Sequence, residues 1–316
     1  MHICNDIVLP SGELNNNKIL KREVLYKGMN GRNVERFYTS TEQSYIFKPL
    51  TNNSQLGKEV WIYEQVLPSI PPVYPKIIDK SLGEDVGKNW IIFEDLGELT
   101  HIYNEEVGLT IAEYMVEWHL IPIVGLRKEE LRGPKPFIEE IVEFILLNKS
   151  KLMNILPAHG ISKKIIEKVI FLAKEEEFSK CTVFSHGDLH LGNYAISGQK
   201  VVVLDWEHAH VNVPFWDLYH FIDMSHPLFP KKVTKQIREK LLNHYLNQAE
   251  GKGRKIDRYA FKREYYLFSS VFSIWMIHLI HNDLKEDSGL WPEEKLNKQL
   301  KETISSLLDC AQALKS

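Results

Sequence analysis

Cysteine is scarce in this chain. Its 316 residues hold three, Cys4, Cys181 and Cys310, with no C-x-x-C spacing. So sparse and odd a set excludes a disulfide framework and a cysteine-built zinc site, and it fits a reducing compartment. An excess of charge of one sign is missing too. Lys and Arg number 39 against 42 Asp and Glu, a net charge of −3, whereas nucleic-acid-binding domains carry a clear basic excess. Long apolar runs are absent. The most apolar long stretch, 271–280, is about half of what a membrane span needs. Residues 1–10 show no basic segment followed by an apolar one, so no secretory leader is expected. No internal repeat or low-complexity tract breaks the chain. These absences lead to the expectation of a cytoplasmic protein with neither nucleic acid nor membrane as partner. Nothing in the sequence sets an oligomeric state.

What is present divides by character. The length is too great for one small core and suits two lobes. In the first hundred residues, short apolar runs alternate with turn signals, and 34–38, 45–48, 76–79 and 90–94 read as strands. Residues 58–67 read as one amphipathic helix ended by Pro68. From about residue 109 the pattern turns helical, over 109–120, 137–147, 161–177, 231–248, 259–281 and 293–314. One island interrupts it. Residues 181–184 read as a short buried strand, and 194–196 with 201–204 as a hairpin closed by Ser197-Gly198-Gln199. The order is a mostly β region, a connection near 95–99, then a mostly helical region with a small hairpin inside it. A cleft between two lobes is a common place for a ligand.

The chemistry concentrates in that island, in His186-Gly187-Asp188-Leu189-His190-Leu191-Gly192-Asn193, followed by Val203-Leu204-Asp205-Trp206-Glu207. Transfer of a phosphoryl group from ATP needs few groups, well placed: a carboxylate beside the attacking hydroxyl, and oxygen ligands for magnesium on the phosphates. Asp188 and Asn193 stand five apart on a tight loop, so both can face one side. Asp205 follows on the next strand of the hairpin.

This loop and strand resemble the aminoglycoside phosphotransferase and choline kinase group of kinase-like enzymes. The protein-kinase version has Arg where Gly187 stands here. The resemblance spans about residues 24–223. It implies an α+β, two-lobed protein-kinase-like fold: a small β-rich amino-terminal lobe over 1–95 that binds the nucleotide, and a larger, mainly helical lobe over 96–316 with the catalytic loop and acceptor site. It implies ATP as phosphoryl donor, Mg2+ as cofactor and a small-molecule hydroxyl acceptor. Asp188 resembles the catalytic base, and Asn193 and Asp205 the magnesium ligands. Glu207 matches a second acidic position that joins them. His186 and Asp217 resemble residues that brace the loop. Where relatives carry Gly-Asp-Pro before that aspartate, this chain has Val211-Asn212-Val213-Pro214, a departure that bears on local loop shape.

The amino-terminal half adds looser matches. Lys48 resembles the family's phosphate-binding lysine and Glu59 the glutamate that pairs with it. Glu64 competes, lying about 140° around the helix from Glu59. Gly28-Met29-Asn30-Gly31-Arg32-Asn33, between two strands, resembles the loop covering the phosphates, through Gly28, Gly31 and Asn33. It is not G-x-G-x-x-G, and glycine-containing hairpins are common. Glu94, Asp95 and Leu96 resemble the lobe linker that grips adenine through its main chain. The helix ending Glu117-Trp118-His119-Leu120 resembles one that finishes in a Leu-His pair, with Trp118 in place of leucine.

Rival readings rest on other features. A metal hydrolase would use His186 and His190, four apart, or the later His208, His210, His220 and His226, though the glycines make this segment a loop rather than a zinc-binding helix. A kinase-like binding or scaffold protein would keep the fold without turnover. A protein kinase acting on polypeptides is disfavoured because no A-P-E follows Asp205. The chain also lacks G-x-x-x-x-G-K-[ST], which excludes a P-loop NTPase. The acceptor stays open among an aminoglycoside, a choline-like amino-alcohol, a sugar and a homoserine-like molecule. Tyr265, Tyr266, Phe268, Trp275, His278 and His281 on the helix over 259–281 form either an aromatic acceptor face or plain core. Asp283, Glu286 and Asp287 either attract a cation or form a solvated helix end.

Overall fold

The computed structural model describes residues 6–28, 31–50, 57–126, 131, 136–286 and 291–314. Cys4, Met29, Asn30 and Asp287, named above, lie outside them. In chain order the regular elements are β1 (Lys21–Lys27), β2 (Asn33–Tyr38), β3 (Ser44–Pro49), α1 (Lys58–Trp61), β4 (Ile77–Ser81), β5 (Trp90–Glu94) and β6 (Leu99–Thr100). Then follow α2 (Glu105–His119), α3 (Ile138–Leu147), α4 (Lys149–Ala158), α5 (Lys163–Glu175), β7 (Val183–Ser185), β8 (Tyr194–Ser197), β9 (Lys200–Val203) and β10 (His210–Asn212). The last are α6 (Pro214–Ile222), α7 (Lys235–Gly251), α8 (Arg258–Glu286) and α9 (Glu293–Ala313). The chain forms two compact units, residues 1–100 with 195–207, and residues 101–194 with 208–316.

The first unit is built on an antiparallel sheet of order β1-β2-β3-β5-β4. Alternation decides its faces. Phe37, Tyr45, Phe47 and Ile92 join Ile7 and Leu14 in a buried cluster on one side. Ile46 and Lys48 therefore point to the other side, where Lys48 stands opposite Ile91 in the ladder. A three-stranded sheet of order β6-β8-β9 belongs to the same unit. The helix expected over 58–67 is irregular. After α1 it widens into a π turn over Ile62–Val66, then tightens into a 3-10 turn over Leu67–Ser69. Pro68 is carried in that last turn rather than ending the run before it, because the first positions of a turn need no N–H.

The second unit is helical, and its helices start where polar side chains replace missing backbone partners. Asn104 accepts the Val107 N–H at 2.9 Å to open α2. Thr234 accepts from Ile237 to open α7. Asp257 accepts from Tyr259 and Ala260, both at 3.0 Å, to open α8. Two helices and a strand stand where no element was expected. All nine residues of α6 are buried, so its sequence has no polar face to give a 3.6-residue period. α4 follows α3 after Asn148 alone, and β10 pairs antiparallel with β7. The strand expected at 181–184 sits at Val183–Ser185. Residues 211–214 therefore finish a strand and place Pro214 in the first turn of a helix, a position that tolerates proline.

The aromatic residues of α8 serve packing. Tyr265, Tyr266 and Phe268 are buried, and Phe268 lies against Phe215, Trp216 and Phe272. A buried ion pair ties four helices. The Arg238 guanidinium donates to Asp223 at 2.7 and 3.0 Å, and Ser306 donates to the same carboxylate at 2.8 Å. Tyr265 completes the set. Burial pushes the Asp223 carboxyl up, but Arg238 and these hydroxyls outweigh it and hold it below the ordinary carboxylate range. Removing one partner of such a pair strands the other charge. Arg238→Ala is expected to destabilise the protein by about 3–5 kcal/mol, read as a shift in the urea unfolding midpoint.

Candidate active site

In the first unit, four residues picked from the sequence meet. The Lys48 ammonium donates to Glu59 at 2.9 and 3.1 Å and to Asp205 at 2.7 Å. Glu207 lies 3.5 Å from the same nitrogen. Glu64 points away, into an ion pair with Lys80, so the choice between the two glutamates falls to Glu59, which is buried. Three carboxylates thus gather around Lys48, and the buried Lys58 lies close enough to Glu207 to interact with it. Burial pushes Lys48 down, but Asp205, Glu59 and Glu207 outweigh it, and the lysine stays charged. Burial pushes Glu59 up more than Lys48 lowers it, with Asp205 and Glu207 adding to the rise. Asp205 itself sits at φ 61, in the left-handed region, a conformation that costs a non-glycine residue about 1–3 kcal/mol.

The other expected nucleotide contacts lie nearby in this unit. Gly28 donates to Arg32 O at 2.8 Å and Gly31 to Gly28 O at 2.9 Å. Gly31 sits at φ 79, and Asn33 opens β2. At the end of β5 the Glu94 N–H donates to Lys76 O, and Leu96 O accepts from Ser197 at 2.6 Å. The Asp95 side chain is bound by Arg36 at 2.6 Å and Ser44 at 2.7 Å, which makes it a brace for the sheet. Tyr26 was not singled out from the sequence. Although the residue is half exposed, partial desolvation pushes its phenol up to about 12, with Lys48 opposing and Asp205 and Glu59 adding.

In the second unit, β7 runs into the loop that carries Asp188. Asp217 organises that loop. Its carboxylate accepts the main-chain N–H of His186 at 2.7 Å and of Gly187 at 2.9 Å. It also accepts from Trp118 Nε1 at 3.0 Å and His119 Nε2 at 3.2 Å. Burial pushes Asp217 up, yet His119 and the other donors hold it well below the ordinary carboxylate range. Burial holds His119 down, ahead of the opposing pull of Asp217, so the ring is neutral, and Tyr245 donates to its Nδ1 at 2.9 Å.

Beyond the anchor the loop turns on Gly187, at φ 85, where a Cβ would lie 2.1 Å from His208 O. No side chain fits, which is why arginine cannot stand here. Asn193 Nδ2 donates to Asp188 O at 2.7 Å and approaches Asp188 Oδ2 at 3.4 Å. The two expected site residues are thereby joined. His186 Nδ1 accepts the Asp188 N–H at 3.3 Å, a bracing role. His190 is buried rather than solvent-facing. Its Nδ1 accepts from Gly192 at 2.9 Å, its ring stacks on His226 at 4.4 Å, and its Nε2 is 3.6 Å from Asp188.

The histidines do not assemble a metal centre. His210 bonds His208 O and Asn212, and His220 bonds Trp216 O. Among the described residues, the one metal-capable group is Glu59, Asp205 and Glu207, with an oxygen from each within 4.8 Å of the others.

The chain belongs to the phosphotransferase enzyme family, whose profile matches residues 73–256, more than half of it. No curated protein sequence matches. Among solved structures it is similar to a choline kinase from Cryptosporidium parvum Iowa II, at 16% identity and TM-score 0.55 over 97% of this chain and 94% of that one. It is similar to a macrolide 2'-phosphotransferase from Brachybacterium faecium, at 13% identity and TM-score 0.57 over 92% and 93%. A spectinomycin phosphotransferase, solved with ADP and spectinomycin, aligns at 15% identity and TM-score 0.59 over 94% of each chain. Likeness at such identity is one of fold, and the fold is the protein-kinase-like α+β one.

Two outcomes follow from the loop. Gly187→Ala is expected to cost more than about 3 kcal/mol and to lower the melting temperature sharply. Gly198→Ala, also at positive φ but with no atom within 4 Å of its Cβ, costs only about 1–2 kcal/mol. The second outcome concerns acid. Unfolded, His119 binds a proton near its ordinary 6.5, while the folded ring stays neutral to lower pH. The unfolded state then binds more protons in that window, so stability rises with pH there and falls on acidification below 6.5. Melting temperatures taken at about pH 7 and pH 5.5 should fall less for His119→Gln than for the wild type.

Proposed function

We propose that this protein transfers the γ-phosphoryl group of ATP, with magnesium, to a hydroxyl group of a small molecule. The observation that carries the reading is the buried Lys48, held by Glu59 and Asp205, with Asp205 kept in a strained backbone conformation. Backbone strain concentrates at functional positions.

The donor set fits magnesium, a hard cation that takes oxygen ligands. Glu59, Asp205 and Glu207 present oxygens only, and their negative excess over Lys48 favours a divalent cation. Asn193, Asp205 and Glu207 would hold it, Glu59 being taken by the lysine, and the ion would neutralise phosphate charge. Lys48 supplies positive charge to the phosphates and Glu59 fixes its position. The glycines at 28 and 31, with Asn33, let the main chain come close to the phosphates, and the main chain of Glu94 to Leu96 holds the adenine.

Asp188 takes the proton of the acceptor hydroxyl as its oxygen bonds to the γ-phosphorus. The bond from that phosphorus to the bridging oxygen breaks, and ADP leaves. Asn193 and the Asp217-anchored loop hold Asp188 still, so little reorganisation accompanies the reaction. The family and the neighbours, which include a choline kinase and a spectinomycin phosphotransferase bound to ADP, support a small acceptor. Aminoglycosides, amino-alcohols, sugars and homoserine-like molecules are the candidates.

A coupled assay of ADP release over these acceptors, with and without magnesium, tests the reading. Asp188→Ala is expected to lower turnover by about 10²–10⁴-fold while calorimetry still shows ATP binding. Asp205→Ala is expected to abolish the magnesium-dependent part of nucleotide binding. Wild-type turnover in Asp188→Ala would remove the base from this scheme.

A further inference from the structure

The second unit contains a cavity of about 280 Å³ that the proposed reaction does not use. It is at the small end of ligand-sized pockets. Val116, Val183, Phe215 and Phe261 give it an apolar wall, and Lys180, Arg254 and Lys255 stand at its rim. Two carboxylates also line it. Asp257 is occupied in capping α8, where it accepts from Tyr259 and Ala260. Burial, with Glu176 adding, pushes the Glu264 carboxyl up, and the two carboxylates stand against the three cations of Lys180, Arg254 and Lys255. Arg254 makes one firm bond, to His119 O at 2.9 Å, and its other arm reaches only the Cys181 sulfur at 3.8 Å. The cavity therefore offers an apolar body and a cationic rim.

Its wall also touches the anchor of the catalytic loop. Tyr245 and His119 both line the cavity. Tyr245 donates to His119, His119 donates to Asp217, and Asp217 holds the N–H groups of His186 and Gly187. A ligand pressing on Tyr245 and drawing on Arg254 acts on His119 from two sides.

We propose that this cavity is an effector site for a small carboxylate with a flat apolar body, and that its occupation reaches the Asp188 loop through Tyr245, His119 and Asp217. The site is independent of the nucleotide reading, and its test needs no turnover. Cys181 is exposed and lines the cavity, whereas Cys310 is buried, so alkylation of Cys181 by iodoacetamide, followed by mass spectrometry, reports occupancy. In the full-length protein, 2-naphthoate is expected to slow that alkylation saturably, by about tenfold at ten times its dissociation constant. The neutral 2-naphthamide and inorganic phosphate should protect far less, since each lacks one of the two recognised features. Arg254→Gln keeps a donor for His119 O but removes the charge, and should lose most of the protection. Hydrogen exchange at the His186 and Gly187 amides should change on binding in the wild type and not in Tyr245→Phe. Absent protection, or equal protection by the amide, overturns the site. Protection with unchanged exchange at the two amides overturns the coupling.

Discussion

One buried carboxylate holds the second unit's chemistry in place. Asp217 accepts from two main-chain N–H groups of the loop and from the side chains of Trp118 and His119 at the end of α2. An ionised group taken out of water is costly unless donors surround it. Once they do, the same cost forbids any geometry that loses them. The loop that presents Asp188 is therefore held by electrostatics in a dry interior, which is far stiffer than a loop held by its own turn residues. Gly187 is the counterpart of that anchor, since the close approach to His208 O that completes the loop leaves no space for a side chain.

The first unit solves the opposite problem. Its carboxylates outnumber the cation among them, and Lys48 is the group that they share. Burial raises Glu59, with Asp205 and Glu207 adding, and an excess of carboxylate favours an added cation. Where Asp217 is a charge surrounded by donors of the fold, Asp205 shares Lys48 with two other carboxylates and sits in a strained backbone, which is the condition expected of a binding group.

Most of the site was legible in the sequence because phosphoryl transfer needs particular residue types at short spacings. Asp188, Asn193 and the pair Asp205 and Glu207 lie within twenty residues and announce themselves as a group. The pairing of Lys48 with Glu59 was legible only as a choice between two glutamates. The π turn after α1 changes the angular spacing on which that choice was argued, although Glu59 is the partner all the same. Less was legible where residues act from a distance. His119 reads as the end of a helix, and nothing local says that it bonds Asp217, 98 positions away. His190 reads in the sequence only as a loop histidine, because its stacking partner, His226, comes from a later segment. The aromatic residues of α8 left both acceptor face and core open, with core the more common case, and burial places Tyr265, Tyr266 and Phe268 in the core.

Local physics carried the strands of the first unit and most helices of the second, because one side of each meets water and the apolar period shows. α6 escaped, being buried on every side. So did β10, a strand of three residues whose existence depends on β7. Residue types and their order determined that this chain carries the groups for phosphoryl transfer and the elements of an α+β fold. Only the tertiary structure decided that 195–207 folds with the first unit, which carboxylates surround Lys48, and that Asp217 is sealed among its donors. Those depend on charges and hydrogen bonds whose strength comes from burial, and burial is a property of the folded chain rather than of any stretch of its sequence.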